Sequence, residues 1–284
     1  MDQPTTPVRD VSVDRIRKAL DLARQERDRS FERAVEKPLP LATKSDACLP
    51  APIEYTITKS FSASADLLES NRIISAQSTG AAAGAFRMLR TQVLQRMMEN
   101  NWRSLAFFSP CRDDGKTTTA INLAVSLAND HLHTVLLVDF DLKRPSLGAK
   151  LGIRPQKGTD DLLRGEAEIE DCLYHPAGFD RLVLLPARSA MHDSSEALAG
   201  RRGRELVTEL RSRYPDRIVL FDLPPILEAD DALAFAPLVE CGLVVVAEGL
   251  TRREDLLRCM ELLHKTPIVG TVLNRAAHAA SAYG

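Results

Sequence analysis

From Leu105 onward, short apolar runs alternate with helix-length amphipathic segments. The runs Leu105 to Ser109, Val135 to Asp139, Leu182 to Leu185, Ile218 to Asp222, Leu243 to Ala247 and Ile268 to Leu273 are strand-sized. They are apolar almost without interruption, which marks strands covered on both faces rather than strands with one wet face. Between them, apolar positions at helical spacing predict helices near 116–129, 202–213, 229–238 and 252–264. Strand alternating with helix folds as α/β, a doubly wound, mostly parallel sheet flanked by helices. In such a sheet ligands bind beyond the carboxyl ends of the strands, so the residues after each run are expected to line one site.

The part before Leu105 has a different texture. Val13, Ile16, Leu20 and Ala23 recur at helical spacing behind Ser12, a capping residue, and predict an amphipathic helix over 12–34. Pro38, Pro40, Pro50 and Pro52 then break any helix or central strand, so 35–52 reads as a linker. An extended piece at Ile53 to Thr58 and a helix at Ala85 to Glu99 lead into the main domain. The expected organisation is an N-terminal helical extension with its linker (1–52), a nucleotide-binding domain (53–275) and a small-residue tail (276–284).

Composition narrows the function classes. A net charge of −2 with 44% apolar residues describes an ordinary globular chain and gives no sign of nucleic-acid binding. The cysteines Cys48, Cys111, Cys172, Cys241 and Cys259 are scattered, odd in number and without CxxC spacing, which argues against a disulfide framework or a zinc site and for a reducing cytoplasm. No apolar stretch has the length of a membrane span, so contact with a membrane is expected to run through a partner.

The chemistry gathers after the strands. The first run is followed by Ser109-Pro110-Cys111-Arg112-Asp113-Asp114-Gly115-Lys116-Thr117-Thr118 and then by helix-forming Ala120-Ile121-Asn122-Leu123-Ala124. Strand, Gly-Lys-Thr loop and helix make a P-loop: backbone N–H groups hold phosphate, Lys116 adds a cation and Thr117 ligates magnesium. Asp113 and Asp114 place charges there that oppose phosphate. Lys116 is expected to face ligand rather than core, so that removing it leaves the fold intact. Asp139 and Asp141 follow the second run and Asp222 follows a later one, positions suited to magnesium coordination and to activating an attacking hydroxyl. Each aspartate alone is more commonly a turn or capping residue. Three strand ends in this order point to a nucleotide site.

The runs Asp139-Phe140-Asp141-Leu142-Lys143-Arg144-Pro145-Ser146 and Asp222-Leu223-Pro224-Pro225 join the Gly115-Lys116-Thr117 loop, and with them Arg87 to Thr91, Ser195 to Leu198 and Val269 to Asn274. Together they resemble the bacterial tyrosine kinase family, the exopolysaccharide-associated tyrosine autokinases of capsular-regulator type, P-loop NTPases related to MinD and ParA. The resemblance implies ATP and Mg2+ as cofactors. Asp114, Gly115, Lys116, Thr117 and Thr118 then hold nucleotide, with Asn274 near the adenine. Thr117, Asp141 and Asp222 hold the metal, while Asp139, Asp141 and Lys116 serve catalysis. It further implies a membrane polysaccharide chain-length (co-polymerase) protein as partner, homo-oligomers, and a cytoplasmic location peripheral to the inner membrane.

Classical members end in a tyrosine cluster, whereas here Tyr283 stands alone near the end, with Tyr55 as a second acceptor. Asp113 replaces a loop glycine, and Gly84 stands where the family's self-association motif has Glu. Three functions follow: a tyrosine autokinase controlling exopolysaccharide synthesis or export, a non-phosphorylating nucleotide switch docking to the membrane partner, and a positioning ATPase of the MinD and ParA kind. The last group carries a lysine where Cys111 stands.

Overall fold

A computed structural model of the protein describes residues 58–276 apart from 76, 77, 131 and 215. The expected helix at 12–34, the linker 35–52, Tyr55 and Tyr283 lie outside the described residues. So does the tail, except for its first residue.

In chain order the elements are β1 (Lys59–Phe61), α1 (Ala65–Ser70), α2 (Ala81–Glu99), β2 (Ser104–Phe108), α3 (Lys116–Ala128), β3 (Thr134–Asp139), α4 (Leu147–Leu151), α5 (Thr159–Arg164) and α6 (Ile169–Cys172). They continue with β4 (Tyr174–Pro176), β5 (Leu182–Leu185), α7 (Ser194–Ala199), α8 (Arg201–Ser212), β6 (Arg217–Asp222), α9 (Asp231–Phe235), β7 (Cys241–Ala247), α10 (Arg253–Leu262) and β8 (Ile268–Asn274). All six predicted strands are present. The eight strands form one sheet in the order β1-β4-β5-β3-β6-β2-β7-β8. Every neighbouring pair is parallel except β4 with β5.

Side chains alternate between two apolar layers. Leu105 and Phe107 of β2 pack with Val93 and Met97 of α2 and Ile121 of α3, while Ala106 and Phe108 face the layer holding Leu198 of α7 and Phe235 of α9. Helix α3 is buried along nearly its whole length, including Asn122 and Ser126. Their polar atoms are satisfied by backbone: Asn122 accepts from Ile74 N at 2.8 Å and donates to Arg72 O at 2.9 Å, and Ser126 donates to Phe86 O at 3.2 Å. These bonds tie the segment before α2 to the helix that opens the P-loop site. The start of β2 is held similarly, for Glu240 Oε2 accepts from Arg103 N at 2.7 Å, Ser104 N at 2.8 Å and Ser104 Oγ at 2.9 Å.

Departures from the expected elements have local causes. The helix expected over 229–238 is a short α9 followed by a 3-10 turn at Ala236–Leu238, because Pro237 has no N–H to continue the α pattern. Strands β1 and β4 have three residues each, and α4 to α7 have six or fewer, too short for a periodic pattern to emerge.

Candidate nucleotide and phosphotransfer site

After β2 the chain loops from Ser109 to Gly115 and enters α3 at Lys116. Gly115 is left-handed with φ 88°, and a β-carbon there would lie 1.9 Å from Asn274 Nδ2. Only glycine fits between loop and strand end. Asn274 closes β8 and donates from Nδ2 to the Asp114 carbonyl at 2.8 Å, while the Arg275 guanidinium donates to the Asp113 carbonyl at 2.7 Å. Asn274 thus braces the loop from behind, and it is Arg275 that lines the cavity in front. Asp113 is also left-handed, φ 63°, a conformation that costs a non-glycine residue about 1 kcal/mol and that Asp tolerates better than most.

Asp114, whose charge is expected to oppose phosphate, lies on the cavity wall with its carboxylate turned to partners within the protein. Its carboxylate is buried and committed to internal donors, Cys111 N at 2.9 Å and Thr251 Oγ1 at 2.6 Å. Thr251 in turn accepts from Ala247 N at 2.8 Å, so the end of β7 is stapled to the P-loop. Residue-by-residue reading passed over Thr251, although its place just beyond a strand end was the available signal.

Lys116 corrects an expectation. It is 6% exposed, and its Nζ donates to Asp222 Oδ1 at 2.6 Å, with Asp222 wholly buried. The lysine is therefore part of the core's charge balance as well as of the loop. Asp222 Oδ2 has no hydrogen-bond partner among the described residues, an orphaned acceptor beside the P-loop.

Asp139 and Asp222 are register partners on the adjacent strands β3 and β6. Phe140 and Phe221, next to them in sequence, stack at 5.5 Å, and Phe235 meets them edge-on at 5.2 and 4.9 Å. Burying this trio stabilises the strand ends by about 1.5–3 kcal/mol per ring. The two expected catalytic aspartates then part company. Asp139 is fully buried and spends its oxygens on backbone, accepting from Asp141 N and Ser146 N at 3.2 Å and Leu147 N at 3.0 Å. Burial, with the Asp222 charge adding, holds its carboxyl well above the ordinary carboxylate range. Asp141 lines the cavity, and its pKa is pushed up to about 6, mainly by burial, with the Lys116 charge opposing. Of the pair, Asp141 is the one placed to meet a substrate.

The cavity has a volume of about 660 Å³ and receives the Ser109–Thr118 loop, Asp141, Ser146, Pro224 and Pro225. Thr117 Oγ1 lies 3.5 Å from Ser146 Oγ. Lys143, Arg144, Lys150, Arg112 and Glu228 also face it, and of these Lys150 and Glu228 lie outside the motifs read from sequence. Surface charges are common, and only the folded loops bring these together. Asp114, Gly115, Lys116, Thr117 and Thr118 all lie on the cavity wall. Among the described residues no group of three or more His, Cys, Asp or Glu is placed to hold a metal ion. The four described cysteines are free thiols.

A family model described as an AAA domain matches residues 113–252. The chain is 27% identical over 191 residues to the tyrosine-protein kinase YwqD of Bacillus subtilis, covering 66% of this chain and 79% of that one. It is 32% identical over 218 residues to the succinoglycan biosynthesis transport protein ExoP of Rhizobium meliloti, covering 72% of this chain but only 26% of ExoP. Among solved structures, the kinase domain of the Escherichia coli tyrosine kinase ETK superposes with a TM-score of 0.62 at 28% identity, covering 71% of this chain and 80% of that one. Gly115-Lys116-Thr117, Asp139 at the end of β3 with Asp141 just beyond it, and Asp222 closing β6 lie within the stretch that the family model matches. Over about two thirds of its length the chain is similar to bacterial tyrosine kinases, and it has the P-loop NTPase fold.

Proposed function

We propose that the protein binds ATP with magnesium in this cavity and transfers the terminal phosphoryl group to tyrosine as an autokinase acting in exopolysaccharide synthesis or export. The observation that carries the proposal is the meeting of Lys116, Thr117 and Asp141 on one cavity, with Asp222 buried behind it and bonded to Lys116. Kinship with YwqD, ETK and ExoP supports the reaction and its setting. Because the chain spans about a quarter of ExoP, the polymer context and a membrane co-polymerase partner are part of the proposal. Among the described residues no helix is long and apolar enough to cross a membrane, which suits a chain that reaches the membrane through such a partner.

The donor set fits magnesium. Asp141, the orphaned Oδ2 of Asp222 and the Thr117 hydroxyl are hard oxygen donors, and magnesium draws its remaining ligands from phosphate and water. When bound, the ion offsets charge on the phosphates. On this reading the loop N–H groups at the start of α3 receive the phosphates, and Lys116 exchanges Asp222 for phosphate oxygen. Asp141 takes the proton of the incoming tyrosine hydroxyl, a role that its place on the cavity wall allows. Asp139 keeps the turn carrying Asp141 in place through its bonds to Ser146 and Leu147. Tyr283 is the proposed acceptor.

Protein incubated with labelled ATP and magnesium, with and without the cytoplasmic segment of a co-polymerase, is expected to carry phosphotyrosine at Tyr283 by mass spectrometry. Asp141→Asn should lower the rate by on the order of a hundredfold. ATP binding without phosphotyrosine under every condition would replace the kinase by a nucleotide-dependent docking switch.

A further inference from the structure

The mouth of the cavity holds a charge arrangement for which the reaction as described has no use. Glu228, in the loop after β6, receives the Arg112 backbone N–H at 2.8 Å on Oε1. Its Oε2 receives the same residue's guanidinium at 3.1 and 3.4 Å. Arg144, in the loop after β3, reaches that same Oε2 at 3.7 Å. One carboxylate therefore gathers two guanidinium groups from two different loops, and all three residues line the cavity. Their side chains are 50%, 60% and 35% exposed for Arg112, Arg144 and Glu228. Ion pairs this wet are weak, so they exchange readily for a stronger anion.

The position of the trio identifies that anion. The backbone of Arg144 is bonded to Asp141, donating to its carbonyl at 3.1 Å and its carboxylate at 3.2 Å. Arg112 stands four residues before Lys116 on the P-loop itself. The two arginines thus stand on the loops that carry Lys116 and Asp141, and all four residues line the one cavity. Lys116 has to give up Asp222 to meet a phosphate, and Arg112 is the other cation that the loop itself carries. A terminal phosphate offers three oxygens and about two negative charges against the single charge of Glu228, and guanidinium groups match it in bidentate fashion.

We propose that Arg112 and Arg144 form a sensor for the terminal phosphate of the bound nucleotide, and that Glu228 holds the two arginines together until that phosphate takes its place. The sensor gives the site its preference for the triphosphate over the diphosphate and draws the P-loop and the Asp141 turn together only when a transferable phosphoryl group is present. It rests on the nucleotide-site reading above.

Calorimetric titration with magnesium and either ADP or the non-hydrolysable imido analogue of ATP tests it on four full-length proteins: the parent, Arg112→Ala/Arg144→Ala, Glu228→Gln and Lys116→Ala/Asp222→Asn. The double arginine variant should lose on the order of tenfold in affinity for the triphosphate and less than about threefold for ADP. Glu228→Gln, which frees both arginines, should bind the triphosphate several-fold tighter, about three- to tenfold, with a smaller gain for ADP. A double arginine variant with the parent's triphosphate-to-ADP ratio overturns the sensor, and so does a Glu228→Gln variant that gains equally for both nucleotides. A Lys116→Ala/Asp222→Asn protein that binds both nucleotides as the parent does overturns the nucleotide site instead. A parent that binds neither removes both readings.

Discussion

Lys116 carries two obligations that sequence treats as one. As a P-loop lysine it is expected to await phosphate, yet at 2.6 Å it is also the sole side-chain partner of Asp222 among the described residues, and that carboxylate has no exposure. Removing one member of a buried ion pair strands the other, at a cost of about 3–5 kcal/mol. Lys116→Ala should therefore lower the urea midpoint by the equivalent of about 3 kcal/mol in nucleotide-free protein, whereas Lys116→Ala/Asp222→Asn should recover more than half of that loss. A single variant within about 0.5 kcal/mol of the parent would mean that Asp222 finds water or a proton at little cost.

At the scale of elements, α5 has six residues and cannot stand by itself, so its position depends on what holds its ends. Arg188, in the loop after β5, donates from Nε and a terminal nitrogen to both oxygens of Asp161 at 2.9 and 2.6 Å, and its backbone N–H reaches Asp160 at 2.7 Å. Ser189 adds a bond to Asp160 at 2.6 Å. The Arg188 hydrogen bonds are the main reason why the Asp161 carboxyl lies below its ordinary range. A depressed carboxylate pKa contributes stability that is present above the unfolded-state value, near 3.9, and is lost as pH falls through the lower folded value. Arg188→Ala should lower the denaturant midpoint at pH 7, by an amount limited by solvent screening at the half-exposed guanidinium. The gap between variant and parent in denaturant melts should shrink below about pH 4. A gap that stays constant into acid would assign the loss to packing rather than to the ion pair.

Across the whole molecule, the site is assembled from the ends of β2, β3, β6, β7 and β8, which lie side by side in the sheet. Ligand binding that draws these ends together acts on the entire sheet. Magnesium with ATP at about 100 times its dissociation constant should stabilise the native state by about 2.7 kcal/mol, a melting shift of roughly 5–10 °C. AMP, lacking the outer phosphates, should shift it much less. Equal shifts with AMP and ATP would remove the phosphate loop from the binding site.

The sequence by itself determined the sheet, its parallel sense, the P-loop and the presence of carboxylates beyond β3 and β6, because each is written in a continuous local pattern. A buried strand reads as an apolar run, and a phosphate loop must lie between strand and helix. What tertiary structure alone decided is which groups share a partner. Asp139 and Asp141 are two residues apart and look equivalent in sequence, yet one is buried on backbone N–H groups and the other faces the cavity. Asn274 has its place under Gly115 because β8 lies beside β7 at the sheet edge, a neighbour relation between distant segments. Thr251 on Asp114, Lys116 on Asp222, and Arg112 with Arg144 on Glu228 span sequence separations of 137, 106, 116 and 84 residues. Hydrogen bonds and ion pairs at such separations leave no periodic trace in the chain, because their geometry exists only once the strands are side by side.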